Sequence, residues 1–575
     1  MNSTAPSLQA LRRRLRVAQQ QEPADLVFRN ISWLDVFNLR WERGDVAVAD
    51  GVVVGLEPGH RGIREVEGTG LFLVPGFIDG HVHIESSLMT PVRFSTTVVS
   101  RGTTTAVVDP HEVANVLGWQ GLHWVAEAAR SAAMDIRVQL PSCVPATHLE
   151  TSGATLDAAS LRRLAAHPQV MGLAEMMNVP GVLAGAEDVL EKLRSFWGRP
   201  LDGHSPLLTG TALDAYLSVG IQNCHEVVTL EEGAEKLRKG MAVMLREGSV
   251  AKSLETLLPL VTPGSSPQIF FCTDDRNPFD IYREGHLDHL VRKAIKLGLD
   301  PALAFRLASW SAARHFGLRD RGAIAPGQRA DLVVLSDLRE VAVQRVFVEG
   351  VEATPQHLAP YVDPDPAPLR HSVHVGESVS FSPAPPHGRG GKARVIGLVP
   401  DQIITRHLQC SYGVVEGRAH FDDVDVVPIT VLERHGRGGF QSHGFVSGFG
   451  LREGAIATSV GHDSHNILII YRDEISARTC LAEINRCQGA FVVSRGEEVL
   501  ASLPLPLAGL MSEGTASEIH DGLVALKAAA RALGCTLHEP FLQLAFLALP
   551  VIPSLKITDR GLVDVEQFEI VSPWI

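Results

Sequence analysis

The sequence predicts an α/β chain in three parts: a (β/α)8 barrel inserted in a small composite β-sandwich, plus a C-terminal α+β domain. Three observations predict it. Between residues 77 and 317, eight short strand-like segments alternate with helical patterns, the order a closed parallel barrel requires. Two β-rich stretches, 25–76 and 318–365, flank that region, and neither is long enough to bury a core alone. A stretch rich in Pro, Asp and His, from about 355 to 384, then sets off the last third of the chain.

The first 24 residues carry Arg12, Arg13, Arg14 and Arg16, with no acid before Glu22. An organelle transit peptide and an amphipathic surface helix both fit this pattern. No second targeting feature follows, so a helical extension over 1–24 is expected. Residues 25–66 alternate short apolar runs with turn residues, Gly44-Asp45 and Asp50-Gly51 among them. GAIAPGQRADLVVL (322–335) and VQRVFVEGVEA (343–353) supply the matching β-structure, so 25–76 with 318–365 is read as the sandwich. The barrel, 77–317, takes its strands from the run into His81, then 104–109, 136–140, 170–175, 199–204, 221–226, 241–247 and 268–275. A doubly wound sheet would need a Gly-rich first turn, and HVHIESS does not supply one. The TIM-like barrel is therefore preferred. Residues 366–575 form the C-terminal domain, with a β-then-α pattern.

Composition narrows the function. Hydrophobic content of 45% and charged content of 20% fit a globular enzyme, and a net charge of −13 argues against a nucleic-acid surface. No apolar run reaches membrane-spanning length. The seven cysteines are scattered and form no C-x-x-C pair, so a reduced, cytoplasmic setting is expected.

The chemistry lies at the strand ends, where a barrel of this kind places its active site. His81 and His83 follow the first strand, two apart and on one face. Asp109, His111 and Glu112 follow the second, Glu175 ends the fourth, His204 the fifth, His225 and Glu226 the sixth, and Asp274 and Asp275 the eighth. Four imidazoles with carboxylates from separate strands suit a pair of divalent ions, Mn²⁺, Fe²⁺ or Zn²⁺. The expected ligands are His81, His83, Glu175, His204, His225 and Asp274, with Glu175 on the middle strand as the bridge. Two cations lower the pKa of a shared water toward neutrality, and Asp274 is placed to accept and carry its proton. His83-Ile84-Glu85 also matches half of a single-zinc deaminase motif, but the P-C-x-x-C half is absent. The glycine runs at 388–391 and 436–439 lack phosphate-loop spacing and are read as loops.

GFIDGHVH and the histidines and aspartate of strands five, six and eight resemble the amidohydrolase superfamily. PGFIDGHVHIESSLM, VVDPHEVANVLG, AEMMNVPGV, LDGHSP, MLREGS and FCTDDR together are similar to the adenine deaminase family, as are SVGHDSHN and LPLPLAGLMS near the C-terminus. Many superfamily members bridge their metals with a carbamylated lysine on strand four; Glu175 stands there in this chain, which fits the adenine deaminase branch. The resemblance implies hydrolysis of adenine to hypoxanthine and ammonia, with no nucleic-acid or membrane partner and a homodimeric assembly. For that reaction Glu112 is the expected proton donor to a ring nitrogen, with Glu226 and Glu247 as alternatives. Arg246, Ser249 and Glu226 are expected at the substrate, although a salt bridge explains Arg246 equally well. Asp109, His111 and Glu85 are expected to support the ligands, with a further ion as another role for Asp109 and His111. GHDSH (461–465) reads as a polar turn, a lid or a second metal site, with the turn as the default. Two other readings compete: a metal-dependent hydrolase of a cyclic amide or another aminopurine, and a silent scaffold on the same barrel.

Overall fold

The computed structural model describes residues 5–376, 378–381, 385–386, 390–400, 402–423 and 425–575; parts of the expected linker and residues 388 and 389 of the first glycine run lie outside them. The barrel strands are β1 (Phe77–Val82), β2 (Thr103–Val108), β3 (Asp135–Leu140), β4 (Val170–Met176), β5 (Leu201–Gly203), β6 (Asn223–Cys224), β7 (Ala242–Arg246) and β8 (Ile269–Cys272). β1 to β5 pair in order as one parallel arc, and β6 to β8 as a second. Main-chain bonds join the arcs at both seams. Gln222 N–H donates to the Leu201 carbonyl at 3.0 Å, and Asp274 N–H to the His81 carbonyl at 2.9 Å.

Every residue of β1, β2, β7 and β8 is buried, because helices cover the outside of the barrel and side chains fill its interior. The β1–β8 seam explains Gly80. A Cβ there would sit 2.5 Å from the Phe270 ring, so the close strand approach that sets His81 beside Asp274 needs glycine. Asp79 closes the same seam, accepting from Thr273 N–H at 3.1 Å and from the Thr273 hydroxyl at 2.5 Å.

The flanking β-segments pair across the barrel insertion. Phe72–Pro75 runs antiparallel to Leu332–Leu335, with Val74 opposite Val333. The strands expected as a sandwich hydrogen-bond as one continuous eight-stranded sheet. The N-terminal helix forms over Leu8–Ala18, capped by Ser7, and Arg13 ties it to Asp25 and Asp50.

The C-terminal part is a nine-stranded sheet with helices Glu474–Cys487 and Ala516–Ala532, and a three-stranded sheet near the end. The strand Gly391–Leu398 begins at the last residue of the 388–391 glycine run expected as a loop. The antiparallel strands Ala455–Thr458 and Ile467–Tyr471 are joined by residues 459–466, which hold GHDSH. That connection packs on the barrel: Asn466 Nδ2 donates to the Thr151 carbonyl at 2.9 Å, and Ser464 donates to Glu150. Among the described residues, no helix is long and apolar enough to cross a membrane.

Candidate metal centre

The rim formed by the C-terminal strand ends gathers the six expected ligands into one cluster, all buried except the partly exposed His204. The order of its donor atoms carries the chemistry. Glu175 Oε1 faces the β1 pair, 3.8 Å from His81 Nε2 and 3.4 Å from His83 Nε2. Glu175 Oε2 faces the other pair, 2.7 Å from His204 Nδ1 and 3.2 Å from His225 Nε2. Asp274 Oδ1 joins the first group, 3.5 Å from His81 Nε2 and 3.2 Å from His83 Nε2. Two donors that share an ion at about 2.1 Å each stand roughly 3.0–3.5 Å apart. The cluster therefore fits two ions, with one carboxylate oxygen turned toward each, as a bridging ligand requires. The Nε2 atoms of His81 and His83 lie 3.1 Å apart. His83 Nδ1–H donates to the Asp109 carbonyl at 2.9 Å, which fixes the tautomer that frees Nε2 for a metal.

Local sequence explains each placement. His81 and His83 leave the end of β1, where the Asp274 φ of +56° brings its carboxylate back across the seam. That left-handed conformation costs a non-glycine residue of the order of 1 kcal/mol, and the hydrogen bonds of the seam hold it in place. Asp274 is held well below the usual carboxylate range: burial works against ionisation, and the Arg246 guanidinium and neighbouring imidazoles overcome it. Glu175 is held down in the same way by His225 and His204. Burial alone would lower His204, but the Glu175 carboxylate raises it to about 9, and His83 is raised by Asp274 and Glu175.

These shifts give a testable sign. In the apoprotein His83 and His204 keep protons to well above their ordinary pKa, and a metal must displace them. Metal uptake is therefore expected to release protons and to weaken as pH falls. Titration calorimetry in two buffers of different ionisation heat reads this directly; an observed heat independent of buffer would sink the expectation.

The remaining expected residues divide. Asp109 Oδ2 accepts from His111 Nδ1–H at 3.0 Å, and Glu85 accepts from Val113 N–H at 3.2 Å at the start of the helix that follows β2. Of the three expected substrate residues, Arg246 and Glu226 line the pocket and Ser249 does not. Arg246 is not a surface residue. It is buried, forks onto both oxygens of Glu226, and donates to Asp274 Oδ2 at 2.7 Å. It lines the pocket with one donor, Nε, left unpartnered, while Glu226 accepts that fork with both oxygens. Ser249 does not line the pocket; its hydroxyl donates to Asp280 at 2.5 Å. A small polar residue beside an N-capped helix, here Asn277 and Pro278–Arg283, is held by local bonds that spacing does not reveal. Glu247, an alternative proton donor, pairs with Lys293 at 2.5 Å.

Glu112, the expected proton donor, also lines the pocket. It is buried against His111, His462 and His465, whose charges hold it well below the usual range despite desolvation. Sequence reasoning missed the groups that set this. The GHDSH connection is not an isolated polar turn: His462 and Asp463 line the pocket, with His462 stacked on Phe546 at 4.6 Å. Ile403, Phe546, Leu549 and Ile552 complete an apolar wall from the C-terminal part. Such an apolar wall beside a polar floor is the usual build of a site for a small planar molecule.

The amidohydrolase family matches residues 72–353, and the adenine deaminase C-terminal domain matches residues 402–569. The adenine deaminase of Methylobacterium nodulans is 50% identical over 559 residues, covering 97% of this chain and 99% of that protein. That of Cereibacter sphaeroides is 50% identical over 551 residues, covering 95% and 97%. That of Brucella suis is 48% identical over 552 residues, covering 96% and 95%. A metal-type donor cluster on a barrel rim, a C-terminal part that completes the pocket, and half-identity to these proteins over nearly the full chain place this chain in the adenine deaminase family of the amidohydrolase superfamily.

Proposed function

We propose that the chain hydrolyses adenine to hypoxanthine and ammonia at this rim. One observation carries the reading: a single carboxylate, Glu175, turns its two oxygens toward two imidazole pairs, in a chain that matches adenine deaminases from end to end. His81, His83, Asp274 and Glu175 Oε1 would hold one divalent ion; His204, His225 and Glu175 Oε2 would hold the other. Such a pair, Mn²⁺ or Fe²⁺ foremost and Zn²⁺ as a further fit to these donors, supplies a water acidic enough to ionise near neutral pH.

The chain's own groups do the rest. Asp274 keeps Oδ1 toward the donor cluster while Arg246 grips Oδ2, so its proton-accepting oxygen is fixed. It takes one proton from the attacking water and hands it to the departing amine. Water oxygen bonds to C6 and the C6–NH2 bond breaks. The second water proton ends on N1, which leaves the lactam of hypoxanthine and free ammonia. Arg246 holds Glu226 and Asp274 together, and its unpartnered Nε remains to meet the ring. The apolar wall around Phe546 excludes bulk water from this exchange. A cytoplasmic homodimer completes the reading, from the chain's size and composition and the family it resembles.

The test is ammonia release from adenine, guanine, cytosine and a hydantoin, with metal content measured on the same sample. Turnover of adenine well above the others is expected. An inert adenine beside a reactive cyclic amide overturns the reading, and well under one metal per chain with no activity points to a scaffold.

A further inference from the structure

Beside the proposed pair, and sharing none of its six donors, lies a second cluster on the boundary between barrel and C-terminal part. His111 and Glu112 start the helix His111–Arg130 after β2; Asp463 comes from the 459–466 connection. His111 Nε2 lies 3.4 Å from Glu112 Oε1 and 3.8 Å from Asp463 Oδ1. The three side chains offer ligand atoms that all lie within 4.8 Å of one another, and each is at least nine-tenths buried. We propose that His111, Glu112 and Asp463 hold a third divalent cation, which fastens the C-terminal part to the barrel beside the active site.

Three observations carry this. First, His111 Nδ1–H is already committed to Asp109 Oδ2 at 3.0 Å. Nε2 is then the ring nitrogen turned toward the two carboxylates, Glu112 and Asp463. Second, Asp463 Oδ2 is buried with no hydrogen-bond partner. Buried carboxylate oxygens in that condition call for a cation. Third, Glu112 has its outer supports in place: His462 Nδ1 stands 2.7 Å from Oε1, and His465 Nε2 touches Oε2. Metal-binding carboxylates are commonly oriented by such flanking donors. One imidazole and two carboxylates select a hard or borderline divalent ion, with water filling the open positions. The inference does not depend on what the enzyme hydrolyses or on the pair, because the donor sets are separate.

The rival occupant of the cluster is protons, with the imidazoles themselves carrying the positive charge. Anomalous diffraction separates the two. Crystals of Mn²⁺-loaded holoenzyme, measured on both sides of the manganese edge, are expected to show a peak between His111 Nε2, Glu112 and Asp463, apart from those at the pair. Peaks confined to the His81, His83, Glu175, His204, His225 and Asp274 cluster overturn the proposal. In solution, wild type is expected to hold about three ions and Asp463→Asn about two. An unchanged count in a folded Asp463→Asn also overturns it, and the diffraction result on wild type decides if that variant does not fold. Glu175→Gln is the control that tells the failure of one site from the other: it is expected to empty the pair and leave the third peak.

Discussion

Replacing Asp274 by asparagine is expected to leave the metal in place and to lower kcat by about a thousand-fold, the size of a lost proton carrier. The side chain has two jobs, on different oxygens. Oδ1 faces His81 and His83, and Oδ2 accepts from Arg246 at 2.7 Å. Asparagine keeps the shape and one oxygen for the donor cluster, and five other ligands remain. What it loses is the charge and the capacity to take a proton. Its amide NH2 would also face the Arg246 guanidinium, donor against donor, while Arg246 keeps its hold on Glu226. The outcome therefore separates carrier from ligand. Metal content near wild type with a collapsed kcat and a largely unchanged KM supports the carrier role. A rate within about ten-fold of wild type would remove Asp274 from that role.

The strand ends were legible in the sequence for a physical reason. In a parallel barrel all C-termini point to one rim, so residues that look unrelated, such as Glu175 and His225, are forced together once the strand order is known. Hydrophobic runs with helical patterns between them gave that order to within a few residues. The six expected ligands come together because they lie at the ends of five strands, with His81 and His83 sharing the first. Three kinds of information were not local and stayed hidden. The partners of Arg246 depend on side-chain geometry across β6, β7 and β8, so a ring contact and a salt bridge looked alike until the fork onto Glu226 was seen. Ser249 is fixed by Asp280, on a helix no spacing rule connects to it. Glu112 packs against His462 and His465, some 350 residues away, in a part of the chain that periodicity marks only as β-then-α. GHDSH stood out by composition, but nothing near it in sequence shows that it packs on the barrel.

Glu175→Gln is the sharper test of the centre itself. Glutamine matches glutamate in size but offers one carbonyl oxygen and an NH2 that cannot bind a cation. Whichever way it turns, one of the two imidazole pairs loses its shared anion: His81 and His83 on one side, or His204 and His225 on the other. The loss is electrostatic as well as geometric. Glu175 is the carboxylate that raises His204 to about 9 and helps raise His83, so its charge is felt by both pairs. A bridging first ligand should matter more than a supporting residue, whose loss typically costs 10- to 100-fold in metal affinity. We therefore expect at least about a 100-fold weaker affinity for the pair, metal content well below two at this cluster, and activity lost in proportion. Glu175→Asp serves as comparison, since it keeps the charge but shortens the reach. If Glu175→Gln retained both ions after exhaustive dialysis, the bridge would have to lie elsewhere, and the two-faced carboxylate would be a support and not the hinge of the site.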